Sequence, residues 1–137
     1  MTEVFPVRPS SRSSRPIVLL VDDDADTLEM YEIGLSGAGF LPVVTRDGMS
    51  VGIQVDAVHP DVVVTDLQLQ GTTGWNVMQC LKDHSGAQRI PVVLLTGHSS
   101  EAIDQRAQDL GCAAVLTKPC TPDELGMVLR RVLGAPA

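Results

Sequence analysis

Acidic, hydroxyl and basic side chains follow four of the five short apolar runs in this 137-residue chain. Asp22 and Asp23 follow the first run, and Asp66 follows the third. Thr96 and Lys118 follow the fourth and fifth runs. Carboxylate oxygens bind hard divalent cations, whereas a hydroxyl and an ammonium group stabilise the oxygens of a transferring anionic group. Together these residue types suit phosphoryl transfer with a carboxylate as the nucleophile.

The apolar runs have the composition of buried β-strands. Residues 62–65 are all β-branched, and residues 17–21 and 91–95 are apolar without polar alternation. Shorter runs at 41–44 and 113–116 complete a set of five. Strands without alternation are covered on both faces, which is typical of a parallel sheet. Because the carboxyl ends of parallel strands meet at one edge, we expect the polar residues that follow these strands to converge there.

Five helices are predicted to alternate with the strands. Asp24 can cap the first helix, and residues 121–124 (Thr-Pro-Asp-Glu) have the pattern of a capping box with proline at the first helical position. Right-handed crossovers then place helices on both faces of the sheet, in a three-layer α/β domain. Arg130 and Arg131 are expected to face outward from the last helix. The residues expected to face the core are Leu28, Tyr31 and Leu35; Met49, Ile53 and Ala57; Val77, Cys80 and Leu81; Ile103, Ala107 and Leu110; and Leu125, Val128, Leu129 and Val132.

The length of the chain predicts one domain with a short tail at each end. Residues 1–15 are rich in Ser, Arg and Pro and have no hydrophobic period, which predicts a disordered N-terminal tail. We expect the domain to occupy residues 16–134 and residues 135–137 to form a C-terminal tail. No DNA-binding output domain is expected in this chain.

Composition argues against several classes of function. The net charge of −7 argues against a nucleic-acid-binding surface, which would be basic. No apolar run is long enough to cross a membrane, and the N-terminus lacks the apolar core of a secretory signal. Three widely separated cysteines favour a reducing, cytoplasmic location over a disulfide framework. The three histidines are equally scattered, which argues against a zinc site.

The polar residues and their spacing resemble the receiver domains of two-component response regulators, over about residues 17–133. Gly74, eight residues beyond Asp66, also matches the family. The resemblance implies a flavodoxin-like, doubly wound (βα)5 fold with strand order 2-1-3-4-5. The other features that match are Asp22-Asp23 after the first strand, Asp66 after the third, Thr96-Gly97 after the fourth and Lys118-Pro119 after the fifth.

The resemblance also implies a Mg²⁺-dependent phosphoacceptor. Asp66 would accept a phosphoryl group from the histidine of a kinase or a phosphotransfer protein. Asp23, Asp66 and the backbone carbonyl of Gln68 would bind Mg²⁺ directly, and Asp22 would act through water. In this role the chain is not an enzyme, although it takes part in its own phosphorylation and slow dephosphorylation.

The resemblance assigns the remaining site residues to the phosphoryl group and its lifetime. Thr96, Gly97 and Lys118 would contact the phosphoryl group. The Lys118–Pro119 peptide bond would be cis, and Gln68 and His98 would tune the lifetime of the acyl phosphate. Phosphorylation would reshape the face formed by the fourth helix, fifth strand and fifth helix, which a downstream effector protein reads. The chain would be a monomer or a weak, phosphorylation-dependent dimer.

The sequence departs from the family pattern at three positions. Val115 stands three residues before Lys118, where an aromatic switch residue is common. Gln70 stands four residues after Asp66, where proline is common, and Cys120 replaces a frequent aromatic. An aromatic rotamer change at the Val115 position is therefore not expected to form part of the switch.

Other interpretations of the same residues are open to test. A solvated loop in which Asp24 caps the first helix would explain that acid, but it would leave Asp22 and Asp23 unexplained. A phosphatase of the haloacid dehalogenase class would need a second acid two residues after Asp66, where this chain has Gln68. A missing site acid would favour a pseudo-receiver that only binds partners, but none of the site acids is missing. A flavodoxin-like binder of a phosphate ligand is expected to have a glycine-rich loop after its first strand, and this chain has no such loop there.

Overall fold

The computed structural model describes residues 15–134, so the predicted tails lie outside it except for Arg15. Five parallel strands, numbered β1 to β5 along the chain, pair in the order second, first, third, fourth and fifth, which confirms the predicted flavodoxin-like order. The strands of this sheet are β1 (Ile17–Val21), β2 (Leu41–Thr45), β3 (Val62–Asp66), β4 (Val92–Thr96) and β5 (Ala114–Thr117).

Five α-helices cover the two faces of the sheet, as predicted. The first and last helices pack on one face, and the other three pack on the opposite face. The helices are α1 (Ala25–Gly37), α2 (Val51–Val58), α3 (Gly74–Asp83), α4 (Glu101–Asp109) and α5 (Pro122–Val132). A 3₁₀ turn at Gly48–Ser50 leads into α2, and a short antiparallel hairpin that was not predicted joins Gln68–Leu69 to Thr72–Thr73.

The central strands are buried on both faces because their apolar runs have no polar interruption. Val18 and Leu20 of β1 pack with α1 and α5, whereas Leu19 and Val21 pack with α2 and α3. The same alternation holds in β3 and β4. Two apolar cores therefore meet at the sheet, and the strand ends emerge from a rigid layer.

Helix ends follow their capping residues. The side chain of Asp24 accepts the backbone N–H of Thr27 at the start of α1. Thr121 and Glu124 form the predicted capping box at the start of α5. Ser100 caps α4, and Gly111, at φ +79°, follows its C-terminal end in the left-handed conformation that favours glycine.

The predicted inward face of α2 was wrong. Met49 and Ile53 are 75% and 72% exposed, and Ala57 is exposed, whereas Val51 and Val55 are buried. Apolar residues occupy every second position from 49 to 57, so two stripes of helical period compete for the core. The packing of α2 after the 3₁₀ turn selects the Val51–Val55 stripe.

Two further predictions of orientation were wrong. Cys80 is exposed, and the larger apolar Met78 takes the inward position on α3. Arg130 does not simply face outward. Its guanidinium stacks 4.5 Å from the ring centroid of Phe40 and donates to the carbonyl oxygen of Ala38 at 2.7 Å. It therefore joins α5 to the turn between α1 and β2.

Two glycines of α1 give a matched test of the α1–α5 contact. A Cβ on Gly34 would lie 2.3 Å from the Cβ of Pro122, whereas a Cβ on Gly37 would meet nothing within 4 Å. We expect Gly34→Ala to lower the free energy of unfolding by about 1–3 kcal/mol through overpacking. We expect Gly37→Ala to raise it by about 0.5–1 kcal/mol, because alanine loses less conformational entropy. Urea unfolding would measure both, and equal effects of the two substitutions would contradict this packing.

Candidate functional site

The carboxyl ends of three strands bring two acids and a lysine into direct contact. The Nζ of Lys118 lies 3.1 Å from Oδ2 of Asp22 and 3.1 Å from Oδ2 of Asp66. The Asp22 and Asp66 side chains are 5% and 13% exposed, so little solvent screens these ion pairs. The three residues are far apart in the sequence, and the strand order places β1 beside β3 at the centre of the sheet.

A third carboxylate completes an acidic cluster beside the lysine. Asp22, Asp23 and Asp66 each place one carboxylate oxygen within 4.8 Å of the others. One ammonium group does not neutralise three adjacent carboxylates. Hard oxygen donors in excess negative charge suit Mg²⁺, which usually keeps several of its waters in protein sites. The donor set therefore fits the predicted cation.

The pKa values at the site reflect burial and the charges of neighbouring groups. Burial raises the pKa of the Asp66 carboxyl above its ordinary value, and the nearby Asp22 raises it further, although Lys118 opposes both. Burial alone would lower the pKa of Lys118, but its hydrogen bonds and charge interactions with Asp22 and Asp66 raise it overall. Lys118 is therefore held as an ammonium ion.

Backbone donors fix the carboxylates of the two partners of Lys118. The N–H of Asp24 donates to Oδ1 of Asp22 at 2.9 Å, and the N–H of Gln68 lies 3.4 Å from Oδ1 of Asp66. Gln68 itself is exposed and belongs to the short hairpin. Its backbone N–H lies beside the Asp66 carboxylate.

Arg46 is a site residue that the sequence analysis missed. Its Nε and Nη2 donate to the backbone carbonyl oxygen of Asp23 at 3.2 and 3.0 Å, which anchors the β1–α1 loop. Arg46 directly follows β2 and so lies at the same sheet edge as the acids. The sequence analysis considered the residues that follow the first, third, fourth and fifth strands. The same argument applied to the second strand would have identified Arg46.

The loop that carries Lys118 is held from two sides. The Lys118 N–H donates to the carbonyl oxygen of Thr96 at 2.8 Å, and the Lys118–Pro119 peptide bond is cis. The buried hydroxyl of Tyr31 on α1 donates to the carbonyl oxygen of Cys120 at 2.7 Å. Burial raises the pKa of Tyr31, so its hydroxyl remains a donor. The sequence analysis assigned Tyr31 to the core only.

Thr96 lies at the same edge, but its hydroxyl turns into its own loop. The hydroxyl accepts the N–H of His98 at 3.1 Å and donates to the carbonyl oxygen of His98 at 2.9 Å. Within residues 15–134, no hydrogen bond joins this hydroxyl to Asp66 or Lys118. Gly97 and His98 are exposed, and a Cβ on Gly97 would meet nothing within 4 Å. The predicted hydroxyl donor is therefore adjacent to the acidic cluster but engaged elsewhere.

Gly74 lets α3 begin directly against the end of β3. A Cβ at this position would lie 2.8 Å from the backbone oxygen of Asp66 and 2.9 Å from Cδ2 of Leu94. Any larger residue would force the helix and the strand end apart. The close contact explains why this position requires glycine.

Comparison with known proteins identifies the family. A family model described as a response regulator receiver domain matches residues 18–130. This chain belongs to the receiver domain family. The prediction of a two-component receiver domain is confirmed. The receiver domain is 36% identical over 111 residues to the DNA-binding response regulator MtrA of Mycobacterium tuberculosis, across 81% of this chain and 47% of that protein.

Other relatives and solved structures agree with this assignment. The receiver domain is 34% identical over 116 residues to the phosphate regulon transcriptional regulatory protein PhoB of Escherichia coli, across 85% of this chain and 51% of that protein. The chain thus spans about half the length of the curated relatives it matches. The chemotaxis response regulator CheY4 of Vibrio cholerae superposes with a TM-score of 0.79 at 26% identity, across 86% of this chain and 98% of that chain.

A crystal structure of a response regulator from Chloroflexus aurantiacus is similar at a TM-score of 0.80 and 27% identity, across 88% of this chain and 98% of that chain. Within residues 15–134 of the receiver domain, none of the helices combines the length and the apolar character needed to span a bilayer.

The raised pKa of Asp66 predicts that Asp66→Asn stabilises the receiver domain near neutral pH in the absence of divalent cations. A carboxyl whose folded-state pKa is raised contributes stability that is fully present below its unfolded pKa and is lost as pH rises through the folded pKa. Asparagine removes the buried charge, so its melting temperature should exceed that of wild type near neutral pH. The difference should shrink as pH falls through the ordinary carboxyl range.

Thermal denaturation monitored by circular dichroism, in a chelating buffer across a pH series, would measure this difference. The matched control is Asp104→Asn on α4, which removes an acid far from the cluster and should give no comparable rise. A wild-type melting temperature above that of Asp66→Asn near neutral pH would contradict the prediction.

Proposed function

We propose that this receiver domain accepts a phosphoryl group on Asp66 from a histidine of a partner kinase or phosphotransfer protein. The observation that carries the proposal is the position of Lys118, whose ammonium contacts Asp22 and Asp66 within a cluster of three carboxylates. A carboxylate beside a cation can act as a nucleophile toward phosphorus. The family assignment supports the same chemistry.

In the proposed reaction, a carboxylate oxygen of Asp66 forms a bond to phosphorus while the phosphorus–nitrogen bond of the phosphohistidine breaks. The electron pair of that bond stays on the imidazole nitrogen. Lys118 stabilises the phosphoryl oxygens as their charge redistributes, in a site that holds it as an ammonium ion. Burial is the main cause of the raised pKa of Asp66, and Lys118 offsets it only in part.

Asp22, Asp23, Asp66 and the backbone carbonyl of Gln68 would hold Mg²⁺ in this function. The bound ion would supply the positive charge that lets an anionic phosphoryl donor approach three carboxylates. Arg46 would keep Asp23 in place through the carbonyl oxygen that it binds.

Thr96 would act as the switch residue after transfer. Its hydroxyl would leave the backbone of His98 and donate to a phosphoryl oxygen beside Lys118, and Gly97 would leave room for that group. Release of His98 would alter the β4–α4 loop and hence the face formed by α4, β5 and α5. This change would be a population shift between two packings. Because residue 115 is valine, the shift would not include the rotamer change of an aromatic side chain.

A groove beside the site would receive the histidine-bearing partner. This cavity of about 470 Å³ lies between α1 and the β5–α5 loop, and its lining includes Met30, Tyr31, Lys118 and Pro122. Met30 is 44% exposed. Because Lys118 lines both the groove and the acidic cluster, a partner that covers these residues would present its phosphohistidine to Asp66.

The wider role follows from the same proposal. The receiver domain would act in the cytoplasm as a phosphoacceptor rather than as an enzyme with a separate substrate. Its output would be a downstream effector protein, with no direct contact to nucleic acid from this acidic domain. It would be a monomer or a weak, phosphorylation-dependent dimer through the α4-β5-α5 face.

Intact mass spectrometry would test phosphoryl transfer directly. The full chain would be incubated with a small acyl phosphate or phosphoramidate, with and without Mg²⁺, as wild type and as Asp66→Asn. We expect wild type to gain one phosphoryl group only with Mg²⁺, and Asp66→Asn to gain none, because it lacks the nucleophile.

The control for folding is the circular dichroism spectrum of Asp66→Asn, which should match wild type. A phosphoryl group that appears on Asp66→Asn would overturn the assignment of the acceptor. No gain under any condition would favour a pseudo-receiver that only binds partners.

The side chain of Gln68 is expected to influence the lifetime of the acyl phosphate without taking part in its formation. Its side chain is exposed next to Asp66, where it can affect the approach of water. We expect Gln68→Ala to change the dephosphorylation rate while leaving the yield of phosphoprotein similar. Gln70→Ala is the matched control, because Gln70 is exposed in the same hairpin segment but two residues farther from the acceptor. Decay of Gln68→Ala at the wild-type rate would refute this role.

A further inference from the structure

A cysteine and a histidine at the end of α3 both lie next to Gly52 of α2. The Sγ of Cys80 and the Nδ1 of His84 each lie 3.7 Å from the position that a Cβ on Gly52 would occupy. Cys80 is exposed, and His84 follows it by one helical turn at the C-cap of α3. Because residue 52 is glycine, no side chain at that position separates these two atoms from the backbone of α2.

A carboxylate orients the imidazole for metal binding. The Nε2 of His84 lies 2.8 Å from Oδ1 of Asp56 on α2. A carboxylate that binds one ring N–H leaves the other nitrogen with a free lone pair, and this arrangement is typical of histidines that ligate metals. The Nδ1 that faces Gly52 is therefore the nitrogen available as a ligand.

The other two cysteines have different surroundings. Cys112 is half-buried, with its sulfur near the carbonyl oxygens of Val92 and Ala114, and burial raises its pKa. Cys120 is buried in the core, where burial also raises its pKa. Both environments oppose formation of a thiolate, which is the form that binds metal. Cys80 alone among the three cysteines combines exposure with a histidine neighbour.

We propose that Cys80 and His84 bind Zn²⁺ and that the same pair from a second copy of the chain completes the site. Zn²⁺ prefers four sulfur or nitrogen ligands in tetrahedral geometry. One chain supplies one thiolate and one imidazole here. In the described part of the chain, only Asp22, Asp23 and Asp66 bring three possible ligands together, so the α3 pair lacks a third protein ligand.

A twofold axis through the metal gives the missing ligands. Two copies related by this axis supply two thiolates and two imidazoles, and the same surface is used on both subunits. Binding releases the thiol proton of each Cys80 to solvent, and no oxidation or reduction takes place. Asp56 would hold each imidazole from outside the metal, as a positioning residue.

An exposed apolar pair next to the site supports a second copy as the partner. Met49 and Ile53 are 75% and 72% exposed and lie one turn apart, close to Asp56 around the axis of α2. A partner that covered this pair would remove its apolar surface from water. A twofold contact through α2 and α3 would bury both pairs while it brings the two Cys80 side chains together.

Sedimentation velocity would test this site on the full chain. The protein would be stripped with a chelator, kept reduced so that no disulfide forms, and titrated with ZnCl₂ or MgCl₂. We expect ZnCl₂ to double the mass at one Zn²⁺ per two chains, whereas MgCl₂ has no effect. Co²⁺ in place of Zn²⁺ should give the absorption bands of thiolate ligation and tetrahedral geometry.

Variants separate this site from the acidic cluster. Cys80→Ser and His84→Gln each change an accessible side chain and should abolish the zinc-dependent dimer. Asp56→Asn should weaken zinc binding by about tenfold or more without removing a ligand. Asp66→Asn should retain the dimer, so the outcome is independent of the proposed phosphoryl transfer. A chain that stays monomeric with Zn²⁺, binds one Zn²⁺ per monomer, or dimerises in Cys80→Ser would overturn the proposal.

Discussion

The contact of one ammonium group with two buried carboxylates is the constraint on which the rest of the site depends. Asp22 and Asp66 lie almost out of solvent, where an uncompensated charge is costly. Lys118 reduces that cost only if its Nζ reaches both oxygens, and the observed distances are 3.1 Å each. The ends of β1, β3 and β5 must therefore be held in register by the whole sheet. The residual negative charge leaves the site suited to a cation.

Contacts around the site hold the three strand ends in this register. Tyr31 and the backbone of Thr96 hold the loop that carries Lys118, and Gly74 allows α3 to begin against the end of β3. These contacts are made by buried groups and leave little freedom. The hydroxyl of Thr96, in contrast, makes its hydrogen bonds to the exposed backbone of His98. The Asp66 carboxylate therefore lies among buried contacts, whereas the Thr96 hydroxyl is bound to an exposed loop next to it.

The receiver domain separates two kinds of donor atoms on its surface. The acidic cluster offers only carboxylate oxygens near an ammonium, which suits a hard ion such as Mg²⁺. The α2–α3 face offers a thiol and an imidazole held by Asp56, which suits Zn²⁺. The chemistry of the donor atoms would direct Mg²⁺ to the acidic cluster and Zn²⁺ to the α2–α3 face, rather than a general affinity for divalent ions. The same α2–α3 face carries the apolar residues that were expected in the core.

Most of the fold follows from local sequence. Uninterrupted apolar runs specify strands that are buried on both faces, and residues such as Asp24 and Thr121 start helices through hydrogen bonds to nearby backbone. Strand-end position also identified the residues that meet at the sheet edge, because parallel strands share one carboxyl edge. The tertiary structure decided the features that depend on packing between residues far apart in the sequence. It selected the Val51 stripe of α2 over the Met49 stripe, since both have the helical period. It also directed Arg130 onto Phe40, and set the distance from Lys118 to its acids, since these pairs meet only when separate elements pack together.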